Sequence, residues 1–205
     1  MIGVVKSGTL EGVEAIPIEV EVDLVRRLPA VVIVGLPGGT VRESADRVRS
    51  ALQHCGMTFP KRRVVINLAP ADIRKRGTHF DLPVAVGILA ASGQVESDRI
   101  TETLFAGELS LEGALRPIRG ALSLALMAKQ QGYRRLVLPE ASAPEASAVE
   151  GLEVLAAPHL TAVAGWLNGT RSLPKPTVAP VQPEEYPVDL NEVKGQARAK
   201  RALEL

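Results

Sequence analysis

Three groups of residues in this 205-residue sequence have types and spacing that bear on chemistry. The first is Gly35-Leu-Pro-Gly-Gly39, set between an apolar run and a helical pattern, where backbone amides at a helix start can cradle an anion. No Lys-Ser/Thr follows it and its spacing is not G-x-G-x-x-G, so it reads as a tight strand-to-helix turn. Gly195 follows Lys194 without a glycine-rich run before it, so no nucleotide loop is expected there either. The second group is His54, Cys55, His79 and His159. None has a partner at ligand spacing, and His54 and Cys55 point to different faces of a helix end, so no metal site is expected. Gln53-His-Cys-Gly56 carries no acid to orient the imidazole, which argues against a nucleophilic thiol. The third group is basic: Lys61, Arg62 and Arg63 in one run, Arg74, Lys75 and Arg76 in another. Cations of this kind can track a phosphate backbone. Between residues 42 and 76 there are nine basic residues against three acidic ones, so that segment is +6 and the rest of the chain −5. Such asymmetry suits an anionic partner, and a solvated face produces it too.

The elements that must position these groups follow from periodicity. Residues 16–23 alternate apolar and acidic side chains, the pattern of a half-buried strand. The continuous apolar run 30–35 reads as a central strand. Thr40 with Glu43 fits a capping box, and Val41, Ala45, Val48 and Leu52 fall on one helical face, leaving Arg42, Arg47 and Arg49 largely off it. A short strand is expected over 63–67 and a connection over 68–79. Asp81 is expected to cap a helix with Pro83 in its first turn, running to about Ser92 with no further charge and so buried on most sides. Residues 108–116 read as a hairpin turning at Glu112-Gly113, and 117–131 as a helix stopped by Gly132. A strand over 135–139, a short helix over 144–149, a strand over 153–156 and a helix over 158–168 complete the pattern.

Domain organisation follows. Residues 1–170 form one α/β domain with a mixed sheet and packed helices, 171–188 a Pro-rich linker, and 189–205 the opening turns of a further, truncated domain. About 170 residues suffice to remove roughly 70% of the unfolded chain's surface from water. Aromatics are 3% of the chain, so the core is aliphatic and a row of base-stacking rings is excluded. One cysteine excludes an internal disulfide framework and a Cys-rich zinc site. The start MIGVVKSGTL has no secretory pattern, and the longest apolar run, 82–91, falls short of the ~20 residues that span a bilayer. A soluble, cytoplasmic protein without membrane contact is expected.

Gly35-Leu-Pro37, Val41-Arg-Glu43, Arg47-Val-Arg-Ser-Ala-Leu52, Asn67-Leu-Ala-Pro-Ala-Asp72, Phe80-Asp-Leu-Pro83 and residues 189–196 occur in order. Together they resemble the ComM family, also called YifB, of bacterial Mg-chelatase-like AAA+ ATPases. The resemblance spans essentially the whole chain. It implies an N-terminal domain similar to the proteolytic domain of Lon, in the ribosomal S-five domain-two-like superfamily. A linker and a AAA+ motor would follow, with the Walker A loop shortly after residues 193–196. It further implies a homo-hexameric, ATP- and Mg-dependent DNA helicase that promotes branch migration in natural transformation. This fragment itself would need no cofactor.

The same resemblance supplies a chemical test. Active Lon-type domains use a Ser-Lys dyad. Asp81-Leu-Pro-Val-Ala85 matches the stretch that holds the serine, so Val84 occupies the nucleophile position. Pro117-Ile-Arg-Gly-Ala121 matches the stretch before the lysine, so Leu122 occupies the base position. Neither side chain can attack or accept a proton, and both are expected to pack. What is left for the domain is binding and assembly. In one reading Lys61, Arg62, Arg63, Arg74, Lys75 and Arg76 face single-stranded or branched DNA. In the other they pair with acids of a neighbouring subunit, and the domain is a scaffold or protein-docking module. A third, weaker reading is a motor that remodels a metal-inserting enzyme.

Overall fold

The computed structural model describes residues 2–95, 98–177 and 192–203. In chain order the elements are β1 (Gly3–Glu11), β2 (Glu14–Val25), β3 (Ala30–Val34), α1 (Gly39–His54), β4 (Arg63–Ala69), α2 (Asp81–Ala91), β5 (Thr103–Phe105), β6 (Glu108–Leu109) and β7 (Leu115–Arg116). They continue as α3 (Ala121–Gln130), β8 (Arg135–Pro139), α4 (Ala143–Ala146), β9 (Glu153–Ala157), α5 (Leu160–Leu167) and α6 (Ala197–Leu203). Seven strands form one mixed sheet in the order β3-β4-β2-β1-β5-β8-β9, and β6 and β7 make a separate hairpin. The pairs β1–β2 and β2–β4 are antiparallel; β3–β4, β1–β5, β5–β8 and β8–β9 are parallel. This is the mixed α/β architecture expected from the sequence.

Alternation along the strands builds two cores. On β8, Val137 faces one layer while Leu136 and Leu138 face the other, and β9 repeats the split with Leu155 against Val154. One layer packs α1, α2 and α5 against the sheet; the other packs α3 and α4. All eleven residues of α2 are buried, which explains why its sequence is apolar after Asp81. Its backbone lies directly on the sheet: a Cβ on Gly3 would overlap the Gly87 carbonyl, and a Cβ on Gly87 would overlap Val22. The second face is covered by α3 and α4 over β5, β8 and β9, and by α3 where Gly8 of β1 and Ala15 of β2 meet it. Toward β3 one face stays open and carries Glu19, Glu21 and Asp23, with Lys6 paired to Glu19 and the Asn67 amide donating to Glu21 at 2.7 Å.

Several local expectations change. The Thr40–Glu43 capping box does not form. Gly38 is the N-cap residue of α1, the Thr40 hydroxyl reaches the Gly77 carbonyl at 3.5 Å, and Glu43 lies beside Arg47. The structure adds β1, to which no strand pattern was assigned, and β5, a three-residue strand too short to carry a period. Strand β4 runs through Ala69, into the expected connection. Helix α3 starts at Ala121, after Gly120 in the left-handed region, rather than at Pro117. The first residues of the expected linker lie against the domain. Leu173 is buried and the Ala156 amide donates to the Pro174 carbonyl at 2.8 Å, so this stretch covers the β9 edge. The rest of the expected linker, and the first residues of the expected further domain, fall in 178–191, outside the described residues. No helix among the described residues is long and apolar enough to cross a membrane.

Candidate functional site

The two positions matched to a Ser-Lys dyad sit in different surroundings. Val84 is fully buried in the α2 layer, and its amide donates to the Phe80 carbonyl at 3.0 Å. Leu122, expected to pack, is instead 39% exposed on α3, because it falls on the solvent side of a helix whose buried residues are Ala121, Leu124, Ala125, Met127 and Ala128. α2 and α3 lie on opposite faces of the sheet: Gly87 of α2 packs on Val5, whereas Gly8, on the other side of the β1 pleat, faces Leu124 and Met127 of α3. Other donors at the start of α2 are also consumed. The Asp81 amide donates to Thr78 at 3.1 Å and the Leu82 amide to Gly107 at 2.9 Å, while Pro83 has no N–H. An oxyanion hole needs such donors free and aimed at a reacting atom.

Asp81 does not cap its helix. Its side chain is buried and gripped by Arg47, whose Nε donates to Oδ2 at 2.7 Å and Nη2 to Oδ1 at 2.9 Å; the Leu109 amide donates to Oδ2 at 3.2 Å. Arg47, expected off the buried face of α1, is thus drawn inward and joins α1, α2 and the β6–β7 hairpin. Burial pushes the Asp81 carboxyl above its ordinary range, opposed by Arg47, Ser44 and the Leu109 amide. The bond to Asp81 in turn raises the Arg47 guanidinium above its usual value. The pair therefore locates three elements more than it adds net stability, the usual balance for a buried ion pair.

Between the approaches to α2 and α3 lies a groove of about 380 Å³ lined by Leu10, Arg76, Gly77, Thr78, His79, Glu108, Pro117, Ile118 and Arg119. The Thr78 hydroxyl is bonded to Glu108, and the buried His79 holds its Nε2 against the Gly8 carbonyl at 2.8 Å. Burial lowers the His79 pKa, opposed by the bond to the Gly8 carbonyl. No serine or cysteine lines this groove. Among the described residues no three His, Cys, Asp or Glu side chains are arranged to hold a metal. Cys55 and His159 do converge, unforeseen in the sequence, on the Glu112 carbonyl at 3.7 and 3.1 Å. Burial raises the Cys55 thiol, and His159 Nδ1 accepts from the Thr161 amide at 3.3 Å, so Nε2 is the donor and not a base for the thiol.

The basic runs separate. Lys61, Arg62 and Arg63 precede and open β4, while Arg74, Lys75 and Arg76 follow it, so the length of the strand, about 20 Å at ~3.3 Å per residue, lies between them. Lys75 is no surface contact at all. It is fully buried and its ammonium donates to the Pro70 carbonyl. Its backbone joins the Gly35–Gly39 turn, with the Lys75 amide on the Leu36 carbonyl and the Gly38 amide on the Lys75 carbonyl at 2.9 Å. That turn is structural, as its sequence suggested. A Cβ on Gly35 would overlap the Leu68 carbonyl. Arg74 and Arg76 are exposed and line a cavity with Glu11 and Asp72, though neither forms an ion pair among the described residues. Lys61 and Arg62 are exposed and Arg63 half-buried, and none of the three has an ion-pair partner among the described residues.

Residues 20–142 match the family model of subunit ChlI of Mg-chelatase. The chain is similar to the uncharacterized protein YifB of Escherichia coli, 43% identical over 196 residues covering 95% of this chain and 38% of that protein. It is also similar to the competence protein ComM of Haemophilus influenzae, 39% identical over 207 residues covering 98% of this chain and 40% of that protein. A more distant likeness is to Lon protease of Lachnoclostridium phytofermentans, 25% identical over 167 residues, 75% of this chain and 20% of that protein. The chain thus spans about two fifths of the length of the ComM and YifB relatives. On this match the chain belongs to the ComM/YifB family of Mg-chelatase-like proteins.

Proposed function

We propose that this chain is the non-catalytic, Lon-like N-terminal domain of a ComM-type hexameric AAA+ motor in the cytoplasm, holding DNA beside the ring and contributing to its assembly. The observation that carries the reading is the pairing of an absent chemistry with a free charge. Val84 and Leu122 offer neither nucleophile nor base, while Lys61, Arg62 and Arg63 are cations without carboxylate partners among the described residues. ATP and Mg²⁺ would be bound by the motor portion of the longer protein, and branch migration would be an activity of that whole assembly. Binding to DNA should weaken steeply as salt rises and should not depend on base sequence, since phosphates supply the contacts. Titration of mixed-sequence duplex and single strands with the 205-residue chain, from about 50 to 200 mM salt, reads this directly. Salt-sensitive affinity that Lys61→Ala, Arg62→Ala and Arg63→Ala together abolish supports the reading. Absence of any affinity at the lowest salt contradicts it.

A second reading has its own observation. The open face of β2 presents Glu19, Glu21 and Asp23 beside exposed Val4 and Val34, a surface that suits a protein neighbour and repels nucleic acid. In that reading the domain is a scaffold or docking module of the ring. Salt-dependent self-association in place of DNA binding would favour it.

A further inference from the structure

We infer that the DNA contact is the sheet end where β2 finishes and β4 begins, and that Arg26 and Arg27 belong to it together with Lys61, Arg62 and Arg63. This rests on the DNA reading above and specifies its surface. Arg26 and Arg27 lie 34 or more positions before Lys61 in the chain, too far for any local pattern to join them. The antiparallel register of β2 and β4 aligns Val25 with Arg63. Residues that leave β2 therefore stand beside residues that enter β4, on strands about 4.8 Å apart. Arg26, Arg27, Lys61 and Arg62 are all exposed.

What sets this cluster apart is that five cations gather at one sheet end with no acid in the connections 26–29 and 55–62 that carry four of them. None of the five cations has an ion-pair partner among the described residues. Farther along the same end of the sheet, beyond β1, the cations are answered. Arg135 pairs with Glu153 at 3.0 Å and with Glu102 at 3.5 Å, and Arg134 with Glu102 at 3.3 Å. The acids of the open β2 face begin at Asp23, two residues before the strand ends, so a polyanion is repelled from the face and favoured at the end. Phe59, two residues before Lys61, is covered by the Arg49 guanidinium at 4.7 Å and packs on the core, so it offers no stacking platform. The contact is therefore to phosphates and blind to sequence.

The test compares four forms of the 205-residue chain on a mixed-sequence duplex across about 50 to 200 mM salt. Five phosphate contacts give the parent a log–log salt slope near −4.5, at about 0.9 per contact. Arg26→Ala with Arg27→Ala should flatten it by about 1.8 and weaken binding roughly 60-fold at 0.1 M salt. Arg26→Lys with Arg27→Lys should keep the parent slope, which separates charge from packing. Arg74→Ala with Arg76→Ala should also keep it. A parent that binds with this slope while Arg26→Ala with Arg27→Ala changes nothing overturns the inference and leaves the DNA reading standing. A parent without affinity overturns both. If the alanine pair abolishes a salt-dependent self-association and spares DNA binding, the cations serve a neighbouring copy and the inference is overturned.

Discussion

Where β4 ends, Arg47 and Lys75 are tied into the fold and Arg74 and Arg76 stand exposed beside acids; where β4 begins, the cations are left to solvent. At the first end Arg47 clamps the buried Asp81, Lys75 donates to the Pro70 carbonyl from a fully buried position, and Arg74 and Arg76 share a cavity with Glu11 and Asp72. At the second, Arg26, Arg27, Lys61, Arg62 and Arg63 have no carboxylate within ion-pair distance among the described residues. Residue type is the same at both ends. What differs is whether the chain supplies its own anion or carbonyl. A cation satisfied internally positions backbone, and a cation without a partner is available to another molecule.

The largest effect is expected at the end where the fold consumes its polar groups. Val84→Asp places a carboxylate in a fully buried site where Asp81 already occupies the Arg47 guanidinium, which should cost more than about 4 kcal/mol in denaturant unfolding. Val84→Ser should cost less and should produce no peptide hydrolysis, since no base and no free oxyanion donors lie at the start of α2. Hydrolysis by that variant would show that the site needed only its nucleophile.

Next in size is Arg47→Ala, which leaves Asp81 buried without its partner and should cost about 3–5 kcal/mol at neutral pH. The pH dependence has a definite sign. Asp81 has a folded pKa raised above its ordinary value by burial, and loss of Arg47 raises it further. The folded state then holds a proton that the unfolded state has released, so stability falls as pH rises through that window and recovers as pH falls below the folded pKa. The difference between Arg47→Ala and the parent should therefore shrink on acidification. A difference that is constant with pH would remove Asp81 from this role.

Smallest is Lys75→Met. Burial lowers the Lys75 pKa, with Asp72 opposing, so its charge is held at a cost. An apolar side chain of similar length should leave stability within about 1 kcal/mol of the parent and leave DNA affinity unchanged. A loss of DNA affinity with intact stability would return Lys75 to the interface.

The contrast between the two ends also marks what the sequence could reveal. The α2 helix was legible because eleven consecutive buried residues need an apolar run. Strands β8 and β9 were legible because short apolar segments bounded by turns have one reading in an α/β chain. The β6–β7 hairpin was legible through Glu112-Gly113, with Gly113 in the left-handed region its turn requires. Local spacing offers Asp81 only as a cap, because its partner lies 34 residues away on α1. The burial of Lys75 was hidden for the same reason, and the two arginines flanking it made it look exposed. The basic runs looked adjacent in sequence, and only a seven-residue strand between them separates the two ends.

The central claim is that free charge resides at the β2–β4 end and not at the other. Charge reversal at each end measures it most directly, with Arg62→Glu and Arg63→Glu in one variant and Arg74→Glu and Arg76→Glu in another. The salt slope of duplex binding is then read for both against the parent, with thermal midpoints as the check on folding. The account predicts that the first variant loses most of the slope and the affinity, that the second keeps both, and that both melt near the parent. A second variant that loses the slope while the first retains it would contradict the account.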